Sequence, residues 1–179
     1  MAAALAAGVL LISACAQDPA EMAKKKSAAP AFSTTTSTGK TVTLKDLTKK
    51  GPVFLYFVKE HCGANPDAMP LFNAIARAHP KANLYMVIDT DQASFQRFSR
   101  TFRSTTPALL DPSKKIIKSY GMRSSQTAVM VDRAGKITQF YPGFGQDSLK
   151  SLNASLAGVA KRPVPNVDLS GAPQGTRFG

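Results

Sequence analysis

The residue with the clearest chemical potential is Cys62, a cysteine in the middle of the chain. It follows the apolar run VFLYFV at Val53–Val58 and precedes a helical pattern that starts near Asp67. A cysteine in this position lies close to the free N–H groups and the positive dipole end of the helix, which favour the thiolate. The thiolate is the form of cysteine that attacks peroxides and disulfides. The placement therefore predicts a nucleophilic sulfur at Cys62.

His61, directly before the cysteine, is a second candidate for the same site. It could add positive charge or shuttle a proton, although a partly exposed histidine with no chemical role is the commoner case. The chain has two cysteines and two histidines, and only His61 is close to Cys62 in sequence. This is far short of a set of soft metal ligands, so we predict neither a metal site nor a cofactor.

The other cysteine, Cys15, ends an apolar segment at the N-terminus. Residues 2–12 contain only Ala, Leu, Val, Ile and Gly, and the sequence ISAC follows at 12–15. The run is too short to span a bilayer but fits the core of a secretory signal. Its end resembles the lipobox of bacterial lipoproteins, although no Lys or Arg precedes it. We predict a lipoprotein signal peptide at 1–14 and acylation at Cys15; the alternative is an Ala-rich helix with Cys15 as a small buried residue.

The composition changes on either side of a central region at residues 30–161. Residues 15–29 are small, polar and charged, and residues 162–179 contain repeated Pro and Gly. Such segments lack the apolar side chains of a core, so we expect a disordered tether before the domain and a disordered tail after it. The lysines at 24–26 would lie near lipid headgroups and could assist adhesion, or could simply be solvated.

Residues 30–161 alternate between strand and helix patterns, which predicts an α/β domain. Continuous apolar runs indicate buried strands, and apolar residues at helical spacing indicate amphipathic helices. Gly121 suits the left-handed end of a helix, and the segment DRAG at 132–135 suits a hairpin. We expect strands at residues 41–44, 53–58, 84–88, 108–110, 127–131 and 136–141, and helices at 67–79, 91–103, 113–120 and 147–160. This order predicts a mixed central sheet with helices on both faces.

Several motifs in this region resemble those of the thioredoxin superfamily. They are APAF at 29–32, GKTVTLKDL at 39–47, LYF at 55–57, HCG at 61–63, MP at 69–70, YGMR at 120–123 and VDRAGKI at 131–137. The resemblance is to the branch shared by peroxiredoxins of the alkyl hydroperoxide reductase/thiol-specific antioxidant (redoxin) family and the thioredoxin-like envelope reductases. It implies a thioredoxin-like fold and a thiol-dependent oxidoreductase or antioxidant activity in cell redox homeostasis.

The chain departs from this family at three chemical positions. Thioredoxins have a second cysteine three residues after the first, where this chain has Asn65, so no local disulfide can form. Peroxiredoxins have a threonine three residues before the nucleophile, where this chain has Lys59. The peroxiredoxin arginine and the thioredoxin cis-proline both align with Gln126. These departures predict a one-cysteine site, and we expect Asn65, His61 and Arg123 to stabilise an anion on Cys62. For Arg123 the alternative is an exposed loop arginine with no such role, which is the commoner case.

The charge of the chain does not indicate nucleic-acid binding. Lys and Arg outnumber Asp and Glu by 23 to 11, giving a net charge of +12. The cations are scattered, however, and the short lysine runs are not interleaved with aromatic residues that could stack on bases. We therefore predict no nucleic-acid partner.

Two functions remain open, and a purely structural, buried Cys62 is a third interpretation with weaker support from its position between strand and helix. In the first, the chain is a one-cysteine thiol oxidoreductase of the bacterial cell envelope, with Cys62 attacking peroxide or disulfide and an external thiol or disulfide protein as partner. The lipid anchor would hold it to a membrane, facing the periplasm or the exterior. In the second, the chain keeps the fold without turnover and binds extended peptides as a scaffold lipoprotein.

Overall fold

A computed structural model describes residues 18–179 as seven strands and six helices. The predicted signal peptide and Cys15 lie outside the described residues. The strands are β1 (Ser33–Thr36), β2 (Thr41–Thr43), β3 (Val53–Val58), β4 (Leu84–Ile88), β5 (Ala108–Leu110), β6 (Thr127–Val131) and β7 (Ile137–Tyr141). The helices are α1 (Pro19–Lys24), α2 (Leu44–Lys49), α3 (Asn65–Ala78), α4 (Gln92–Phe102), α5 (Lys115–Ser119) and α6 (Gln146–Val159).

All seven strands form one mixed sheet with the order β2-β1-β5-β4-β3-β6-β7. The sheet is parallel across β3, β4 and β5 and antiparallel elsewhere, and β6 and β7 form the predicted hairpin. Gly121 has a φ of 65°, in the left-handed region that the sequence predicted after α5. The predicted α/β class with a mixed central sheet is confirmed.

Strand β3 lies inside the sheet, between β4 and β6, and is buried on both faces because helices cover both sides of the sheet. Alternate side chains of a strand point to opposite faces. Phe54, Tyr56 and Val58 belong to a core cluster that includes side chains of α3, α4 and α6. Leu55 and Phe57 belong to a second cluster with side chains of α1, α2 and α5. Helices therefore lie on both faces, and β3 is anchored from each side.

Two elements near the start of the domain differ from the prediction. Strand β1 is the polar sequence STTT, which has no apolar alternation to reveal it. Leu44 was predicted to end a strand but is the first residue of α2. The reason is a capping box, in which the Thr43 hydroxyl accepts from the Asp46 N–H and the Asp46 carboxylate accepts from the Thr43 N–H.

The described part of the predicted tether is ordered against the domain. Asp18 caps α1, and Met22 of this helix is 3% exposed within the second core cluster. After the helix, the Ala29 N–H donates to the Gly135 carbonyl at 2.8 Å. Composition did not predict this docking, because a single buried methionine anchors an otherwise polar segment. None of the helices between residues 18 and 179 has the length and apolar character that a membrane crossing needs.

The segment after α6 also differs from the expected disordered tail. Leu169 and Ala172 are buried in the cluster that contains α3 and α6. The Asn153 amide of α6 donates to the Pro165 carbonyl at 3.0 Å. A few apolar residues between the prolines and glycines are sufficient to pack the segment on the domain, and compositional reasoning overlooked them.

Substitution of the buried methionine tests whether the N-terminal segment is part of the domain. We expect Met22→Ala to lower the free energy of unfolding by about 2 kcal/mol or more, because it removes most of a buried apolar side chain. Lys24→Ala, on the exposed face of the same helix, should change it by less than about 0.5 kcal/mol. Urea denaturation measures both values. Equal effects of the two substitutions would contradict the docked arrangement of α1.

Candidate active site

The loop between β3 and α3 carries Cys62. Its backbone is folded into a tight turn: the Cys62 N–H donates to the Lys59 carbonyl at 3.3 Å, and the Asn65 N–H donates to the Cys62 carbonyl at 3.0 Å. The Ala64 N–H donates to the Cys62 sulfur at 3.4 Å. Cys62 is half-buried. The sulfur therefore accepts from a backbone N–H at the start of α3, and part of the residue is open to solvent.

A chain of buried polar side chains lies beneath this loop. The Tyr56 hydroxyl donates to the Gln126 side-chain carbonyl, and the Gln126 amide donates to the Asn65 side-chain carbonyl. The Asn65 amide in turn donates to the carbonyls of Lys59 and Glu60, at 3.1 and 2.9 Å. Tyr56, Gln126 and Asn65 are each at most 1% exposed. Every one of these buried polar groups has a hydrogen-bond partner. The row of hydrogen bonds therefore holds the loop in place.

Tyr56 is a neutral donor in this row of hydrogen bonds. Burial raises the pKa of Tyr56 far above its usual value, and the charge of the nearby Cys62 raises it further. The ring of Tyr56 also stacks on Phe72 of α3, with centroids 3.7 Å apart and planes inclined by 5°. Tyr56 thus ties the central strand to the helix that follows Cys62.

Ser125 and Gln126, just before β6, hold the loop from the other side. The Ser125 hydroxyl accepts from the Lys59 N–H at 2.9 Å, and the Gln126 N–H donates to the Phe57 carbonyl at 2.8 Å. Gln126 has a φ of 64°, a left-handed conformation that is uncommon for a residue with a side chain. The three side-chain and backbone contacts of this residue maintain that conformation.

The predicted site residues occupy different positions around the sulfur. Asn65 shares a turn with Cys62, but its side chain faces inward and is fully engaged with the loop carbonyls and Gln126. The His61 side chain is 91% exposed, and its Nε2 lies 3.8 Å from a carboxylate oxygen of Glu60. Arg123 is exposed, and its backbone carbonyl accepts from Lys59 Nζ at 3.0 Å. The roles proposed for His61, Asn65 and Arg123 in stabilising an anion stay predictions.

Sequence reasoning missed Tyr56 and Ser125 as members of the site. The apolar pattern of the strand indicates Tyr56 only as a buried core residue, and its hydroxyl is the signal that could have identified it. A buried tyrosine hydroxyl needs a polar partner, and Gln126 is the partner at the start of the neighbouring strand. Ser125 offered no such signal. In the range 18–179, no group of three or more His, Cys, Asp or Glu side chains is placed to hold a metal ion.

An extended segment of the chain lies directly on the sulfur. Gly179 pairs with Ser125 as neighbouring antiparallel strands do: the Ser125 N–H donates to the Gly179 carbonyl at 2.9 Å, and the Gly179 N–H donates to the Ser125 carbonyl at 3.5 Å. A Cβ atom at Gly179 would overlap the Cys62 sulfur and would lie 3.2 Å from the Cβ of Ala64. The groove beside Cys62 thus accommodates an extended peptide backbone that pairs with Ser125.

Comparison with known proteins identifies relatives of this fold and site. The chain is 29% identical over 140 residues to the thiol-disulfide oxidoreductase ResA of Bacillus thuringiensis strain Al Hakam, covering 76% of this chain and 77% of ResA. The solution structure of a candidate protein disulfide isomerase from Bacteroides thetaiotaomicron superposes with a TM-score of 0.66 at 28% identity, over 75% of this chain and 89% of that protein.

A lipoprotein is also among the structural relatives. The exposed lipoprotein thioredoxin of Streptococcus pneumoniae strain TIGR4 superposes with a TM-score of 0.58 at 26% identity, over 72% of this chain and 99% of that protein. The sequence profile of the AhpC/TSA family matches residues 26–140, which is more than half of the chain and includes β1 to β6 and Cys62. The chain therefore has a thioredoxin-like fold and belongs to the AhpC/TSA family.

Proposed function

We propose that this chain is a thiol-disulfide oxidoreductase of the ResA type that uses a single cysteine, Cys62. The observation that carries the proposal is the position of the Cys62 sulfur, which accepts from the Ala64 N–H at the start of α3 and lies beside a stretch of backbone that pairs with an extended peptide. A protein disulfide presented on an extended segment fits such a groove. The similarity to ResA, a thiol-disulfide oxidoreductase, supports the same chemistry.

The reaction is an exchange between Cys62 and a substrate disulfide. The Cys62 thiolate attacks one substrate sulfur and forms a mixed disulfide, while the other substrate sulfur leaves as a thiolate and takes a proton from water. An external thiolate then attacks the substrate sulfur of the mixed disulfide and releases Cys62. A second external thiol completes reduction of the substrate and leaves as a disulfide with the first. Two external thiols are therefore oxidised for each substrate disulfide that is reduced.

Asn65 determines that the resolving thiol is external. It occupies the place of a second cysteine, and its amide and carbonyl bond the loop and Gln126 instead. No sulfur in the turn of residues 62–65 can attack the mixed disulfide, so that intermediate persists until another thiol arrives. The long-lived intermediate gives the proposal a direct test.

Peroxide is a second electrophile for the same sulfur, and membership of the AhpC/TSA family supports it. The thiolate would attack one peroxide oxygen, giving a sulfenic acid and an alcohol or water, and external thiols would reduce the sulfenic acid to the thiol. The site favours the disulfide because it provides a surface for a peptide backbone. Lys59, at the position of the peroxiredoxin threonine, has no hydroxyl to direct a peroxide.

We also propose that the protein is located in the cell envelope, anchored through acylated Cys15. The apolar run followed by ISAC supports the anchor, and the similarity to an exposed lipoprotein supports the location. Residues 16–17 then link the anchor to Asp18, where the described domain begins. Helix α1 docks on the domain, so the domain would lie close to the headgroups, with the lysines at 24–26 near the lipid surface.

Trapping the mixed disulfide tests the proposed chemistry. In a Cys15→Ser background, we expect oxidised glutathione to form one adduct on Cys62, because Asn65 cannot resolve it. Cys62→Ser should abolish the adduct. Intact-protein mass spectrometry measures the adduct, and dimedone labelling after peroxide treatment measures the competing sulfenic acid. A protein that gives neither product would be a binding or scaffold protein rather than an enzyme.

Restoring a second cysteine tests the geometry of the turn. We expect Asn65→Cys to release glutathione and form an intramolecular disulfide with Cys62, so that the adduct no longer accumulates. Asn65→Ser is the matched control: it loses the same amide bonds, with an expected cost of about 1–3 kcal/mol in unfolding free energy, but should retain the adduct. If the adduct accumulated equally in both variants, residue 65 would not be within reach of the Cys62 sulfur.

Mass analysis of the mature N-terminus tests the anchor. After expression in a bacterium that processes lipoproteins, we expect an N-terminal peptide that begins at a diacylated or triacylated Cys15, and a protein that partitions into the membrane fraction. Cys15→Ala should prevent both the acylation and the partitioning. A mature protein that retains residues 1–14 with an unmodified Cys15 would disprove the anchor without affecting the proposal for Cys62.

A further inference from the structure

The last seven residues of the sequence, 173–179, form a docking segment that reaches Cys62. Four backbone hydrogen bonds hold it: the Gln146 N–H donates to the Pro173 carbonyl at 2.8 Å, the Phe144 N–H donates to the Arg177 carbonyl at 3.0 Å, and Ser125 and Gly179 exchange two bonds. The first two bonds satisfy N–H groups at the start of α6 and in the loop before it. The segment therefore follows a defined path from the N-terminus of α6 to the sulfur.

The loop before α6 is shaped to receive this segment. A Cβ at Gly143 would overlap the Arg177 carbonyl, and a Cβ at Gly145 would overlap the Gly175 carbonyl. Gly145 has a φ of −67°, which any residue can adopt, so its own backbone does not require glycine. The missing side chain at Gly145 instead makes room for the docking segment.

Arg177 adds side-chain contacts on the other side of the segment. Its guanidinium lies 3.6 Å from the Asp67 carboxylate, in the first turn of α3, and 5.9 Å from the centroid of the Phe144 ring. The ion pair is more than half exposed, so it orients the segment more than it stabilises it. The segment is thus linked both to the helix that follows Cys62 and to the loop before α6.

We propose that the docking segment is an internal occupant of the substrate groove, which shields Cys62 until a substrate peptide displaces it. This inference rests on the proposed function, because it assigns a regulatory role at the same groove. The backbone of Ser125 can pair with one extended strand at a time. Its N–H and its carbonyl are both already bonded to Gly179. A substrate strand must therefore compete with residues 173–179.

Shielding follows from the contact at the sulfur itself. Gly179 packs so closely on Cys62 that no side chain fits between them. An electrophile approaches the sulfur only when the segment opens, and local opening without global unfolding is the usual behaviour of a segment held by a few exposed contacts. The apparent reactivity of Cys62 then equals its intrinsic reactivity multiplied by the fraction of molecules in which the segment is open.

Gly145→Ala tests the inference from outside the site. The new Cβ should expel the docking segment and increase the rate of Cys62 alkylation by iodoacetamide about tenfold. Gly158→Ala, in α6 with open space around the glycine, should react at the wild-type rate. The adduct is measured by mass spectrometry on the tryptic peptide 60–77. Hydrogen exchange of the Ser125 amide should accelerate in Gly145→Ala alone.

A second pair of variants tests the same contact at its other end. Gly179→Ala places a methyl group on the sulfur and should accelerate both alkylation and Ser125 amide exchange, whereas Gly175→Ala, with open space at its Cβ, should not. This pair does not alter the N-cap of α6. It therefore still tests whether the docking segment shields Cys62 if Gly145→Ala fails to fold. A synthetic peptide with the sequence PQGTRFG of residues 173–179 should slow alkylation of Gly179→Ala again.

Two outcomes would overturn the inference. Unchanged Ser125 exchange in Gly179→Ala would show that the segment does not occupy the groove. Accelerated exchange with an unchanged alkylation rate would show that it binds without shielding Cys62. Neither outcome depends on the glutathione adduct, so a chain that fails to form the adduct yet opens as described would disprove the proposed function and retain the docking segment.

Discussion

The hydrogen-bonded chain from Tyr56 through Gln126 to Asn65 is the interaction on which the site depends. It starts on the most buried strand, crosses to the start of β6 and ends on the carbonyls of the loop that holds Cys62. Because all three side chains are buried, removal of any one leaves at least one polar group of a neighbouring residue without its partner in a medium of low polarity. The position of the sulfur therefore depends on polar contacts inside the core as well as on the turn of the loop itself.

This chain of contacts also explains how a thioredoxin-like fold accommodates a single cysteine. In thioredoxins, which this chain resembles, a second cysteine and a cis-proline lie beside the nucleophile; here Asn65 and Gln126 occupy those places, and the Gln126 amide donates to the Asn65 side-chain carbonyl. These two side chains have a structural role, because they hold the loop. In the proposed mechanism, the turn of residues 62–65 offers no second sulfur, so the chemistry of Cys62 depends on other molecules.

The sequence predicted those parts of the fold that apolar patterns determine. The run at Val53–Val58, the hairpin of β6 and β7 and the position of Cys62 before α3 all followed from local signals. Strand β1 could not be predicted, because its residues are polar and show no apolar alternation. The sequence did not predict the inward orientation of Asn65 or the path of residues 173–179. Both depend on partners distant in sequence, Gln126 for Asn65 and Ser125 for the segment.

The left-handed backbone at Gln126 has a consequence for how this site can change. Proline fixes φ near −65°, whereas residue 126 has a φ of 64°, so an exchange for proline would require the backbone to rotate by about 130°. That rotation would also break the bond from the residue 126 N–H to Phe57, which proline cannot donate. Proline at residue 126 is therefore incompatible with the present backbone, and the Asn65 side-chain carbonyl would lose its Gln126 donor in the same step.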